Sequence, residues 1–179
     1  GRLGITVQAY SRRSLPALMW LTALARERGD SIPVRLVKGA YWDTEIKLAQ
    51  QRGLADYPVF TRKEATDVSY LACMKFLLSE TTRDLLYPQF ATHNAHTVAS
   101  VLQQAKVTTG RAFEFQRVHG MGDALYHVVL KNTSAPVRIY APVGDHKSLL
   151  PFLVRRLLEN GANTAYVHRL VDSRTSVGQ

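Results

Sequence analysis

The chain is 179 residues long, 46% hydrophobic and 21% charged, a globular composition that excludes a disordered or low-complexity scaffold and allows one domain with a substantial core. Its 23 Lys and Arg against 14 Asp and Glu give a formal charge of +9, which raises polyanionic partners, but no run of five basic residues exists, which argues against a basic tail and leaves only a basic face assembled by folding. The longest apolar stretch, 15–25, is about half a membrane span and contains Pro16, and the single Cys73 allows no intrachain disulfide, which fits a reducing compartment.

In chain order, the apolar period switches repeatedly between two and 3.6. Residues 4–9 read as a short strand, and Ser14 reads as the N-cap of a helix that Gly29 closes. Residues 33–39 are a second strand ending on glycine. Asp43 is placed to cap a helix over 44–52, and a further helix spans 67–79. A third strand, 88–93, precedes a helix over 96–106. The fourth, 111–116, leads through a Gly-Met-Gly loop to a helix over 124–130, and the fifth, 137–141, to a helix from about 147 to 159.

Five strand–loop–helix units in succession define a parallel α/β pattern. Several strand interiors mix Arg, Gln, Glu and Thr with apolar residues. A barrel tolerates polar groups near the C-terminal mouth of its strands, whereas an open sheet covered on both faces does not. A barrel is therefore the first expectation and an open doubly wound sheet the second. Since (βα)8 barrels take eight strands and about 250 residues, the sequence is expected to supply about the last five units of a TIM-like barrel over 1–170, with 171–179 as a tail.

On the last helix, Leu149, Leu150, Leu153, Val154, Leu157 and Leu158 share one broad apolar face, and Phe152, Arg155, Arg156 and Glu159 share the other. That polar face suits either a solvated surface with an Arg155–Glu159 pair or a two-guanidinium clamp for a small carboxylate. Arg35 and Lys38 precede Gly39, Ala40, Tyr41 and Trp42 at a strand end. Alternation puts Arg35 and Val37 on one face and Val34, Leu36 and Lys38 on the other. Those cations either form an anion site with the glycine backbone or snorkel at a sheet edge. His93 and His96 lack a carboxylate or thiol at metal-ligand spacing, so no metal site is expected. No Walker A sequence, dinucleotide fingerprint or nucleophile elbow occurs.

Several longer strings stand in one order: Val-Gln-Ala-Tyr10, Val-Arg-Leu-Val-Lys-Gly-Ala-Tyr-Trp-Asp43, Phe-Ala-Thr-His-Asn-Ala-His96, Phe-Glu-Phe-Gln-Arg117, His-Gly-Met-Gly-Asp123, Arg-Ile-Tyr-Ala-Pro-Val-Gly144 and Leu-Val-Arg-Arg-Leu-Leu-Glu-Asn-Gly-Ala-Asn163. Together they resemble the C-terminal half of the proline dehydrogenase domain of the bifunctional bacterial flavoproteins of proline utilization, from about residue 4 to 172. The resemblance implies a distorted (βα)8 barrel with non-covalent FAD. It implies oxidation of L-proline to Δ1-pyrroline-5-carboxylate, with electrons passed to quinone, and an aldehyde dehydrogenase domain elsewhere in the parent protein.

By that resemblance Arg155 and Arg156 clamp the substrate carboxylate, Glu159 orients them, and Tyr41, Tyr140 and Leu36 line the substrate pocket. Arg35 approaches the flavin and Gln8 bonds its edge. Lys38, Gly39, Ala40, Trp42, Thr61, Lys63, Thr92 and His93 are further FAD-contacting positions, with Glu159 among them. A lysine and an aspartate of that active site belong to strands this sequence does not carry, so the chain by itself is expected not to hold FAD tightly. The family further implies a cytoplasmic protein with peripheral contact at the inner membrane face, and no nucleic-acid partner for this segment. The alternative is a non-catalytic basic barrel fragment that binds DNA, membrane or another partner through its +9 charge.

Overall fold

The computed structural model describes residues 3–108 and 110–163, of which 158–163 are described as backbone only. The expected tail at 171–179 lies outside the described residues.

Five strands, β1 (Ile5–Gln8), β2 (Ile32–Val37), β3 (Leu86–Ala91), β4 (Glu114–Val118) and β5 (Val137–Tyr140), form one all-parallel sheet in the order β1-β2-β3-β4-β5. Sequential order without reversal is the order of a βα barrel; a doubly wound sheet turns back at a switch point. The barrel expectation is the one the structure meets. Helices α1 (Ser14–Arg28), α2 (Trp42–Gln51), α3 (Lys63–Leu78), α4 (Ala95–Val107), α5 (Asp123–Asn132) and α6 (His146–Asn163) connect or follow the strands.

The register separates the two faces of the sheet. Val7 lies beside Leu36, Leu36 beside Phe90, Phe90 beside Phe115, and Phe115 beside Val137. This continuous apolar row is buried against Leu18 and Leu21 of α1, Tyr70, Met74 and Leu77 of α3, Val98 and Val101 of α4, and Tyr126 of α5. Edge-to-face contacts of Phe115 with Phe113 at 5.5 Å and with Tyr126 at 6.0 Å stiffen it. One residue out of step, Thr6 lies beside Arg35, Arg35 beside Gln89 and Gln89 beside Glu114, and further along Ala91 lies beside Gln116 and Gln116 beside Arg138. That second row is polar and charged. Because side chains alternate with period two, the polar row faces away from the helix-side core.

Several element boundaries differ from the sequence reading. Ser14 is the first residue of α1 and not its N-cap, which is Arg13; its hydroxyl donates to the Ser11 carbonyl at 2.9 Å. Tyr41, not Asp43, occupies the N-cap of α2, and Asp43 falls in the first turn, where a carboxylate favours the helix dipole. Helix α3 begins a turn before Asp67. Strand β4 starts three residues after Arg111, whose guanidinium donates to the carbonyls of Leu77, Thr82 and Leu86 and so leaves the ladder. On α6 the apolar face is open: Leu150, Leu153, Val154 and Leu157 are between 37% and 61% exposed. Among the described residues no helix is long and apolar enough to cross a membrane.

Candidate active site

Each βα loop leaves the sheet at the C-terminal end of its strand, and there the polar row opens into a cleft of about 310 Å³. Strands β1, β2, β3 and β5 contribute Gln8, Arg35, Ala91 and Tyr140; the loop after β2 contributes Lys38, Ala40 and Tyr41; the loop after β3 contributes Thr92 and His93; α6 contributes Phe152 and Arg156. Helix α6 thus reaches over the strand ends that hold the other groups.

Three aromatic rings organise the arginines. The Arg35 guanidinium lies 5.0 Å from the Tyr140 ring centroid. Arg155 and Arg156 lie 4.9 and 5.6 Å from the ring of Tyr41, and Arg156 lies 4.0 Å from that of Phe152. Hydrogen bonding from Arg156 holds the Tyr41 phenol below its ordinary 10.0, against a partial opposing effect of burial; the charges of both arginines and a bond from Arg155 add to the lowering. Arg155 Nε and Arg156 Nη1 are buried and have no hydrogen-bond partner among the described residues. Buried guanidinium N–H groups are costly when left unpaired, so this corner has donors free, among the described residues, for an acceptor.

Behind Arg35 a chain of hydrogen bonds runs along the polar row. Arg35 Nε donates to Gln116 Oε1 at 2.6 Å, and Gln116 Nε2 donates to Glu114 Oε1 at 2.6 Å. Glu114, 3% exposed, also accepts from Gln89 at 3.0 Å and from Arg138 through two bonds of 2.8 Å. Burial pushes its carboxyl upward, but hydrogen bonds from Arg138 and Gln116 outweigh that and hold it below 4.5.

At the β3 end, His93 Nε2 accepts the Val118 backbone N–H at 3.1 Å. Burial, helped by the charge of Arg117, lowers the His93 pKa below 6.5, which favours the neutral ring, and with Nε2 accepting, the neutral ring carries its proton on Nδ1. The Tyr126 hydroxyl donates to the Thr92 carbonyl at 2.7 Å and fixes the start of this loop. After β2, Gly39 adopts φ +118, and a Cβ there would stand 2.0 Å from the Tyr10 ring. Only glycine fits that approach.

The structure therefore brings Gln8, Arg35, Lys38, Ala40, Tyr41, Thr92, His93, Tyr140 and Arg156 together, with Arg155 stacked on Tyr41 beside them. Leu36 is a correction: it is fully buried in the apolar row between Val7 and Phe90, on the face of β2 opposite Arg35, and does not line the cleft. Trp42 turns its indole N–H to the Phe60 carbonyl at 2.8 Å. Thr61 and Lys63 stand outside the cleft lining, and Lys63 connects to it indirectly, 3.8 Å from Asp67, whose other oxygen takes Lys38 Nζ at 2.5 Å. The side chain of Glu159 lies outside the described residues. Sequence reasoning missed Asp67, Gln116 and Glu114 as supports of the cations. The polar residues inside strand-like segments were the signal, but only register shows which of them meet.

The sequential parallel sheet and the cation-lined cleft at its C-terminal ends define an α/β protein of the TIM-like barrel type. The chain belongs to the proline dehydrogenase family, whose sequence model matches residues 1–169. It is 52% identical over 178 residues to the bifunctional protein PutA of Klebsiella aerogenes, covering 96% of this chain and 13% of that protein. A crystal structure of proline utilization A from Bradyrhizobium japonicum matches with a TM-score of 0.80 and 54% identity, covering 97% of this chain and 18% of that one. The proline utilization A of Bdellovibrio bacteriovorus inactivated by N-propargylglycine matches with a TM-score of 0.82 and 39% identity, over 97% of this chain and 18% of that one. The chain thus spans less than a fifth of each of these relatives.

Proposed function

We propose that the cleft is the substrate and flavin site of a proline dehydrogenase, which oxidises L-proline to Δ1-pyrroline-5-carboxylate with FAD and passes the electrons to quinone. The observation that carries the reading is the pair of buried guanidinium nitrogens, Arg155 Nε and Arg156 Nη1, that have no hydrogen-bond partner among the described residues, beside the rings of Tyr41 and Phe152. Adjacent arginine forks match a carboxylate, and aromatic rings beside them suit a small apolar ring such as that of proline.

The donor set also fits an anionic, planar cofactor. Arg35, Lys38, Gln8 and His93 line the cleft, and Gly39 lets backbone approach closely. When bound, FAD supplies the acceptor of the hydride from proline. The chain's own residues do the rest: Arg155 and Arg156 hold the carboxylate, Tyr41 and Tyr140 confine the ring, and Arg35 keeps a positive charge where the reduced cofactor gains negative charge. The aldehyde dehydrogenase partner activity and membrane contact of the parent protein belong to the same proposal. Protein carrying this chain, purified with flavin, is mixed anaerobically with L-proline; the oxidised-flavin absorbance should bleach. Flavin that dithionite reduces but proline leaves untouched would overturn the reading.

A further inference from the structure

Arg35 enters the cleft from the floor of the sheet, yet its hydrogen-bonded support is a neutral amide and not a carboxylate. Gln116 accepts from Arg35 Nε at 2.6 Å and donates to Glu114 at 2.6 Å. The orientation of that amide is dictated by its neighbours. A guanidinium can only donate and an ionised carboxylate can only accept, so the carbonyl end must face Arg35 and the NH2 end must face Glu114. The amide satisfies both without a proton moving.

The charge of Glu114 is meanwhile taken up on the other side. Arg138 on β5 gives it a two-bond fork at 2.8 Å, Gln89 on β3 adds a third bond at 3.0 Å, and Tyr87 approaches at 3.4 Å. The carboxylate is matched by one arginine and reaches the other only through the amide. We infer that Gln116, oriented by Glu114, is a positioning residue that holds Arg35 at the floor of the cleft, against Tyr140, without neutralising its charge. The consequence for catalysis rests on the proline dehydrogenase reading: a cation fixed in place yet unspent favours the electron-rich state of whatever occupies the cleft.

The test is a double-mutant cycle with a separate readout of geometry. Gln116→Met keeps the volume and removes the acceptor. In flavin-loaded protein, the rate of flavin reduction by proline in a single turnover should fall about tenfold or more, with KM changed less. In an Arg35→Met background the same substitution should cost nothing further, because a residue that acts through Arg35 has nothing left to position. Independently of proline, the Arg35 Nε–H resonance in 15N-arginine-labelled protein, assigned by its loss in Arg35→Lys, should be protected from solvent exchange and lose that protection in Gln116→Met. Where Gln116→Met does not fold, Gln116→Asn keeps a neutral amide but withdraws it from Arg35 by one methylene; it too should slow reduction and be silent in the Arg35→Met background. Equal losses with and without Arg35, or an unchanged Nε–H resonance in Gln116→Met, would overturn the inference. Failure of the unmutated protein to react with proline would sink the proposed function while leaving the resonance test standing.

Discussion

Phe152 and Arg156 stand one turn apart on α6, with the guanidinium 4.0 Å from the ring centroid. The ring supports one side of the fork while Tyr41 faces it at 5.6 Å. Removing the ring in Phe152→Ala takes away a contact worth about 1 kcal/mol and frees the arginine side chain. The expected outcome is a KM for proline raised about threefold to tenfold with kcat little changed, read by steady-state kinetics.

Arg156→Lys keeps the charge but not the planar fork. Affinity for a non-oxidisable ring carboxylate such as cyclopentanecarboxylate should drop roughly 10- to 100-fold, the size of a lost charge-assisted hydrogen bond. Titration calorimetry measures it. Unchanged affinity would remove Arg156 from the carboxylate clamp.

Gly39→Ala meets two costs at once, the positive φ and a Cβ at 2.0 Å from the ring of Tyr10, which is itself buried. Thermal unfolding should show a loss of about 2–4 kcal/mol. Replacing Tyr10 with leucine in the same protein should recover part of that loss, because it relieves the contact but not the backbone strain.

His93 supplies a pH dependence whose sign is fixed. Burial and the Arg117 charge lower its pKa in the folded chain below 6.5, so between that value and 6.5 the unfolded chain binds more protons. The contribution of His93 is therefore complete above pH 6.5 and lost as pH falls through its folded-state pKa. His93→Gln can still accept the Val118 N–H but cannot be protonated. Denaturant titrations from pH 7 downward should show a shallower decline in stability for this variant than for the unmutated protein.

The alternation of faces along β2 was legible in the sequence for Arg35 and Val37 against Val34 and Leu36, but Lys38, assigned to the Leu36 face, lies past the strand end and lines the cleft with Arg35. The strand–helix succession was legible too, because each apolar period is local. Strand order needed the structure, since which strands pair is a long-range fact. Leu36 illustrates the remaining gap. Its assignment to the pocket came with the family resemblance, whereas its own alternation with Arg35 puts it in the helix-side core. The start of β4 was misread because Arg111 and Phe113 look strand-like, yet one anchors carbonyls of other elements and the other packs edge-on against Phe115. The Gln116–Glu114–Arg138 chain was invisible for a related reason: it joins side chains of β4 and β5 whose meeting depends on register alone.

The separation of the sheet into an apolar row and a polar row has a thermal consequence. Exposing apolar surface raises the heat capacity on unfolding, and exposing polar surface lowers it. The Val7–Leu36–Phe90–Phe115 side and the Arg35–Gln116–Glu114 side therefore contribute with opposite sign. A sheet built this way has a flatter stability curve than one apolar on both faces, and its hold on the cleft varies less with temperature.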